Sequence, residues 1–151
     1  PLEAYRAIQS AKDEAEEDDG AVWILELDGS AVRNGSGRNP LSLQQASEPT
    51  LGRHWKVALD CRGHAAGLAY LAGFGASHPG LMTSAGELLV EVFASPRLFQ
   101  SAALHDGAQM SFLVPLPRDA SLIGRALYVQ GLCSGAPGPQ LSNALDVIIG
   151  R

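Results

Sequence analysis

HWKVALDC, residues 54–61, alternates cleanly: Trp55, Val57, Leu59 and Cys61 fall on one side of an extended chain, Lys56, Ala58 and Asp60 on the other. Successive side chains of a strand point to opposite faces, so a period of two marks a half-buried β-strand with its apolar side turned to a core. The same texture recurs downstream. Gly67–Phe74 is an apolar run ending at the HPG turn (78–80), and Glu87–Phe93 reads as a strand broken by Ser95 and Pro96. Met110, Phe112, Val114 and Leu116 alternate with Ser111, Leu113 and Pro115, and the prolines at 115 and 117 put this strand at an edge or at its end. Ala126–Cys133 sets Leu127, Val129 and Cys133 against Tyr128, Gln130 and Leu132, and Ala144–Ile149 follows the turn-rich SGAPGPQ (134–140).

Upstream, AVWILEL (21–27) is continuous enough to be buried on both faces. DGSAVRNGSGRNP (28–40) is dense in Gly, Asn and Ser and reads as a turn-rich connection. Leu2, Tyr5, Ile8 and Ala15 recur at helical spacing, which predicts a short N-terminal amphipathic helix stopped at Gly20. The acids Asp13, Glu14, Glu16, Glu17, Asp18 and Asp19 crowd its C-terminal half, where they oppose the helix dipole. They lack the spaced Asp/Asn/Gly order of a calcium loop and read as a solvated helix end. The expected organisation is therefore an extension over 1–20 and a domain over 21–151. That domain is all-β, an antiparallel β-sandwich of eight or nine strands, Ig-like or jelly-roll-like.

Composition agrees and narrows function. The 151 residues suit one domain with a proper core, and 46% hydrophobic against 18% charged residues is globular. Gly 17 and Pro 9 punctuate the short runs as turns do. A net charge of -5 argues against nucleic acid as a partner, and no apolar run reaches a membrane span, so no membrane insertion is expected. The chain opens at Pro1 without a Met, which predicts a processed or truncated start.

Five segments fall in one order: RNGSGRNPLSL (33–43), PTLGRHWKVALDC (49–61), GELLVEV (86–92), VPLPRDASLIGRALYVQG (114–131) and LSNALDVIIG (141–150). Together they resemble a β-rich module of secreted and surface proteins from planctomycetes and related Gram-negative bacteria. The resemblance covers about residues 33–151 and is most specific in the last two segments. It implies export to the periplasm or outside, a secreted or cell-surface location, and a structural, anchoring or interaction role. It brings no catalytic residues.

The chemistry-bearing residues are weighed on that background. Cys61 and Cys133 each end an alternating strand on its core side, either as a disulfide or as two buried free thiols. His54, His64, His78 and His105 form no metal-ligand motif, so neither metal nor cofactor is expected. Gly-x-Ser-x-Gly is absent, and the expectation is a protein that is not an enzyme. Ser142 and Asn143 suit side-chain hydrogen bonds to backbone that shape a turn. Trp55 belongs to the core.

The leading expectation is a non-catalytic structural or assembly module of an exported protein, a subunit of a surface fibre or multi-subunit complex. Its partners would be other protein subunits, including copies of itself, engaged through Leu2, Tyr5, Ile8, Val22, Trp23 and Ile24. The alternative is a carbohydrate- or cell-surface-binding module with Trp23, Tyr70 and Tyr128 as its aromatic platform.

Overall fold

The structure, a computed structural model, describes residues 29–151. Ten strands run through it: β1 (Gly29–Arg33), β2 (Leu43–Gln45), β3 (His54–Asp60), β4 (Gly67–Phe74), β5 (Ser77–Thr83), β6 (Gly86–Val90), β7 (Arg97–His105), β8 (Gln109–Pro115), β9 (Ala126–Cys133) and β10 (Gln140–Ile148). One 3-10 turn, Ala120–Leu122, is capped by the Asp119 carboxylate accepting from the Ser121 amide. The fold is all-β, with antiparallel sheets in the orders β1-β10-β9-β4-β7, β2-β3-β8 and β5-β6, none of them closed.

The alternation of residues 54–61 is realised. Trp55, Val57, Leu59 and Cys61 are buried, and they join Leu43, Phe112 and Val114 of the three-stranded sheet with Ala69, Leu71, Leu127, Val129, Leu145 and Val147 of the five-stranded sheet in one core cluster. Cys61 and Cys133 are bonded, with Cα atoms 5.6 Å apart, so the bridge ties the end of β3 to the end of β9 across that core. On the other face of the five-stranded sheet, Leu89 and Val90 of β6 and Phe74 of β4 are buried outside this cluster. β8 ends at Pro115 on the margin of its sheet, as its prolines require.

Several strands differ from the sequence reading. The turn-rich stretch after residue 28 contains β1, which pairs with β10 from Gly29↔Ile148 to Arg33↔Ala144. The HPG stretch lies inside β5, where a register shift between Ser77 and Leu81 absorbs the proline. β2 has only three residues, and β7 (RLFQSAALH) carries no strict alternation because its outward side is itself apolar. β6 closes at Val90, short of the expected Phe93. The N-terminal helix, its acidic run, Leu2, Tyr5, Ile8, Val22, Trp23 and Ile24 lie outside the described residues.

Candidate functional site

The polar residues of the sequence segments singled out above converge on one place. Between Leu141 and Ala144, β10 bulges, so Ser142 and Asn143 together face the single residue Gly131 of β9. An extra residue frees side chains from strict alternation, and both are fully buried here. The Asn143 carboxamide brackets Leu43: its Oδ1 accepts from the Leu43 amide at 2.9 Å and its Nδ2 donates to the Leu43 carbonyl at 3.0 Å. It thus stands where a neighbouring strand would stand beside β2, and joins the three-stranded sheet to the five-stranded one. Ser142 Oγ accepts from the Gly131 amide at 2.9 Å, the bond that the bulge would otherwise forfeit.

Asn39 repeats the device on β6. Its Oδ1 accepts from the Glu87 amide at 2.8 Å, while its Nδ2 donates to the carbonyls of Glu87 (2.7 Å) and Ser142 (2.8 Å). Gln130, from β9, donates to the same two carbonyls and accepts from the Leu89 amide at 2.9 Å. Gly86 permits this approach, since a Cβ there would lie 2.6 Å from Asn39 Oδ1 and its φ of +124° suits glycine alone. The Glu87 carboxylate accepts from the hydroxyl of Ser36 at 2.7 Å and from its amide at 2.9 Å. The Ser36 hydroxyl first, and then the amide, hold the Glu87 carboxyl below the usual carboxylate range. Buried polar groups are tolerated only when partnered, and the side chains of these five, Asn39, Glu87, Gln130, Ser142 and Asn143, are each hydrogen-bonded.

Beside the network opens a cleft of about 500 Å³ whose walls include Arg38, Asn39, Arg62, His64, Ser84 and Gln140. Arg62 is held by Asp60, whose two carboxylate oxygens accept from its Nε at 2.9 Å, and this hydrogen bonding keeps the Asp60 carboxyl below its usual range. Arg38 is exposed and makes no hydrogen bond among the described residues. His64 Nδ1 is shielded and has no partner among the described residues.

The remaining histidines are occupied locally or solvated. His105 Nδ1 accepts from the Gly107 amide while Nε2 donates to the Ser134 carbonyl, and His78 Nδ1 accepts from the Gly80 amide. Among the described residues no histidine is hydrogen-bonded to a serine hydroxyl or a carboxylate, and no three His, Cys, Asp or Glu side chains gather. Tyr70 and Tyr128 share the outer face of the five-stranded sheet but stand against different partners, Leu132 and Phe74. That separates them by four residues along the strands, about 13 Å. Tyr128 is half-buried with the Arg33 guanidinium 6.0 Å from its ring centre, and Arg33 pairs with Asp146 at 2.9 Å. Ser142 and Asn143 do form the side-chain-to-backbone bonds expected of them, within a bulge of β10 and not in a turn. The roles of Asn39, Glu87 and Gln130 escaped the sequence reading, although all three lie in the quoted segments. Among the described residues no helix is long and apolar enough to cross a membrane.

Comparison with protein families, with curated proteins and with solved structures finds no match to this chain.

Proposed function

We propose that this chain is a non-catalytic structural or assembly module of an exported protein, built as an antiparallel β-sandwich and working as a subunit of a surface fibre or multi-subunit complex. One observation carries the reading: β7, nine residues long, forms one margin of the five-stranded sheet and, among the described residues, pairs on one side only. A sheet margin offers a row of unpaired amides and carbonyls to another strand. The cross-core disulfide supports an oxidising compartment, since such bonds persist outside the reducing cytosol. The buried polar residues of the five segments support a structural reading of the resemblance to the secreted planctomycete-type module, because they bond strands and leave no reactive group.

Sedimentation of the full chain over a concentration series tests the assembly reading. Reversible self-association is the expected result, and a monomer up to about 1 mM removes self-assembly, since even weak interfaces register there.

A second reading, a module that binds carbohydrate or another cell-surface ligand, draws on the cleft instead of the tyrosines. Arg38 and Arg62 beside Gln140 suit an acidic saccharide, because guanidinium groups pair with carboxylates. Titration calorimetry with a uronic-acid polysaccharide and with a neutral one separates the outcomes. Binding of the acidic polymer that Arg38→Ala abolishes supports it, and absence of binding refutes it.

A further inference from the structure

We propose that two copies of this chain join their five-stranded sheets edge to edge, β7 against β7, antiparallel about a two-fold axis at Ser101. This rests on the assembly reading and names its surface and partner.

The direction of the backbone groups comes first. The Leu68 carbonyl accepts from the Ser134 amide and its own amide donates to Ser134 Oγ, so Leu68 turns its backbone toward β9. Leu68 stands opposite Leu104 in the β4–β7 ladder. Opposed residues of an antiparallel ladder alternate between bonded and non-bonded pairs, so Leu104, Ala102 and Gln100 direct their amides and carbonyls to the open side. Pairing about Ser101 sets Gln100 opposite the second copy's Ala102, both with outward groups, and gives two bonds for each of the two such pairs. The hydrogen-bonding parity of the strand is therefore compatible with its own two-fold copy.

Side chains match in the same register. Leu98 and Leu104, 55% and 78% exposed, fall opposite each other across the axis, beside Leu68 at 36%. Phe99 faces Ala103, and no carboxylate or lysine lies within the strand. A bulge at Leu98, where Gly73 pairs with Phe99 but Phe74 with Arg97, confines the ladder to the middle of the strand. Extent sets the strength. Nine residues are about 30 Å long and a sheet layer about 10 Å deep, a contact of about 300 Å² per copy. That is below the ~1,200 Å² total of stable complexes, so the pair is weak and concentration-dependent.

The test uses the full chain. Ala102→Pro removes an amide that the monomer does not use and blocks the ladder. It is expected to stay monomeric where the parent associates, with a melting temperature within a few degrees of the parent. Ser101→Cys puts two thiols on the axis, where Cα atoms about 4.5 Å apart allow a bridge. It is expected to cross-link on oxidation at least tenfold faster than Ser84→Cys. Leu98→Lys with Leu104→Lys sets cations opposite each other and is expected to prevent association, while Leu98→Lys with Leu104→Glu restores it. This pair decides the matter if the proline variant fails to fold. Association that survives Ala102→Pro or the double-lysine change overturns the β7 pairing and leaves the assembly reading standing. A parent that is monomeric throughout overturns both.

Discussion

Replacing Asn143 by Ala removes the side chain that joins β2 to β10 by bracketing a backbone residue. The Leu43 amide and carbonyl, bonded to Asn143 at 2.9 and 3.0 Å, would then lie in a residue 1% exposed with no partner. An unsatisfied buried backbone group costs about 1–3 kcal/mol, so the pair costs about 2–6 kcal/mol. Part of that is recovered if water enters the vacated volume, which places the expected loss near 3 kcal/mol. Asn143→Asp sharpens the test. Its carboxylate still accepts from the Leu43 amide but faces the Leu43 carbonyl lone pairs with no donor, so it is expected to be at least as damaging as Ala at neutral pH. Its deficit should shrink in acid, where a protonated carboxyl donates again. Urea unfolding followed by tryptophan fluorescence measures both, since Trp55 is wholly buried. Gln44→Ala, on the exposed side of β2, serves as the control and should lie within about 0.5 kcal/mol of the parent. A loss below about 1 kcal/mol for Asn143→Ala would refute the argument that this carboxamide substitutes for a strand.

Two further outcomes follow from the same structure. Replacing both Cys61 and Cys133 by Ala opens a link spanning 72 positions, and chain entropy puts its loss at about 4 kcal/mol, read as a fall in melting temperature of roughly 10–15 °C; an unchanged melting temperature would show that the bridge constrains nothing. Glu87 is held by Ser36 below the usual carboxylate range, and Asp60 is likewise held by Arg62. Lowered folded values contribute stability above the unfolded value of about 4, and that stability is lost as pH falls through the folded values. Stability measured by urea midpoints should therefore stay level from neutral pH down to about 4 and decline below it, with a shallower decline in Glu87→Gln; an equal slope in the two proteins would remove Glu87 from this account.

How much of this was legible in the sequence depends on what each residue faces. Residues 54–61 could be read because one side of β3 meets a dry core and the other meets water, so burial writes a period of two into the chain. β7 and β1 could not, because their exposed sides carry apolar residues: Leu98 and Leu104 are apolar yet exposed, and Val32 is 59% exposed on a strand of otherwise small or polar residues. Gln130 is the instructive case at the candidate site. By alternation it falls on the side away from the core with Tyr128, which is where a solvated glutamine belongs, yet it is buried because β6 lies over that face and offers it the Leu89 amide and the Glu87 carbonyl. Nothing local to residues 126–133 encodes the arrival of β6; that is a contact between positions 41 and 43 residues apart. Asn39 and Asn143 escape for the same reason in a stronger form. An asparagine after a polar residue reads as a turn former, since its carboxamide bonds nearby backbone in most loops. Here each one reaches a backbone residue 48 or 100 positions away and fills both of its hydrogen-bonding groups. Side chains that stand in for strands make separate sheets cohere without adding a strand to any of them. The margins of those sheets are consequently left open among the described residues, β7 among them.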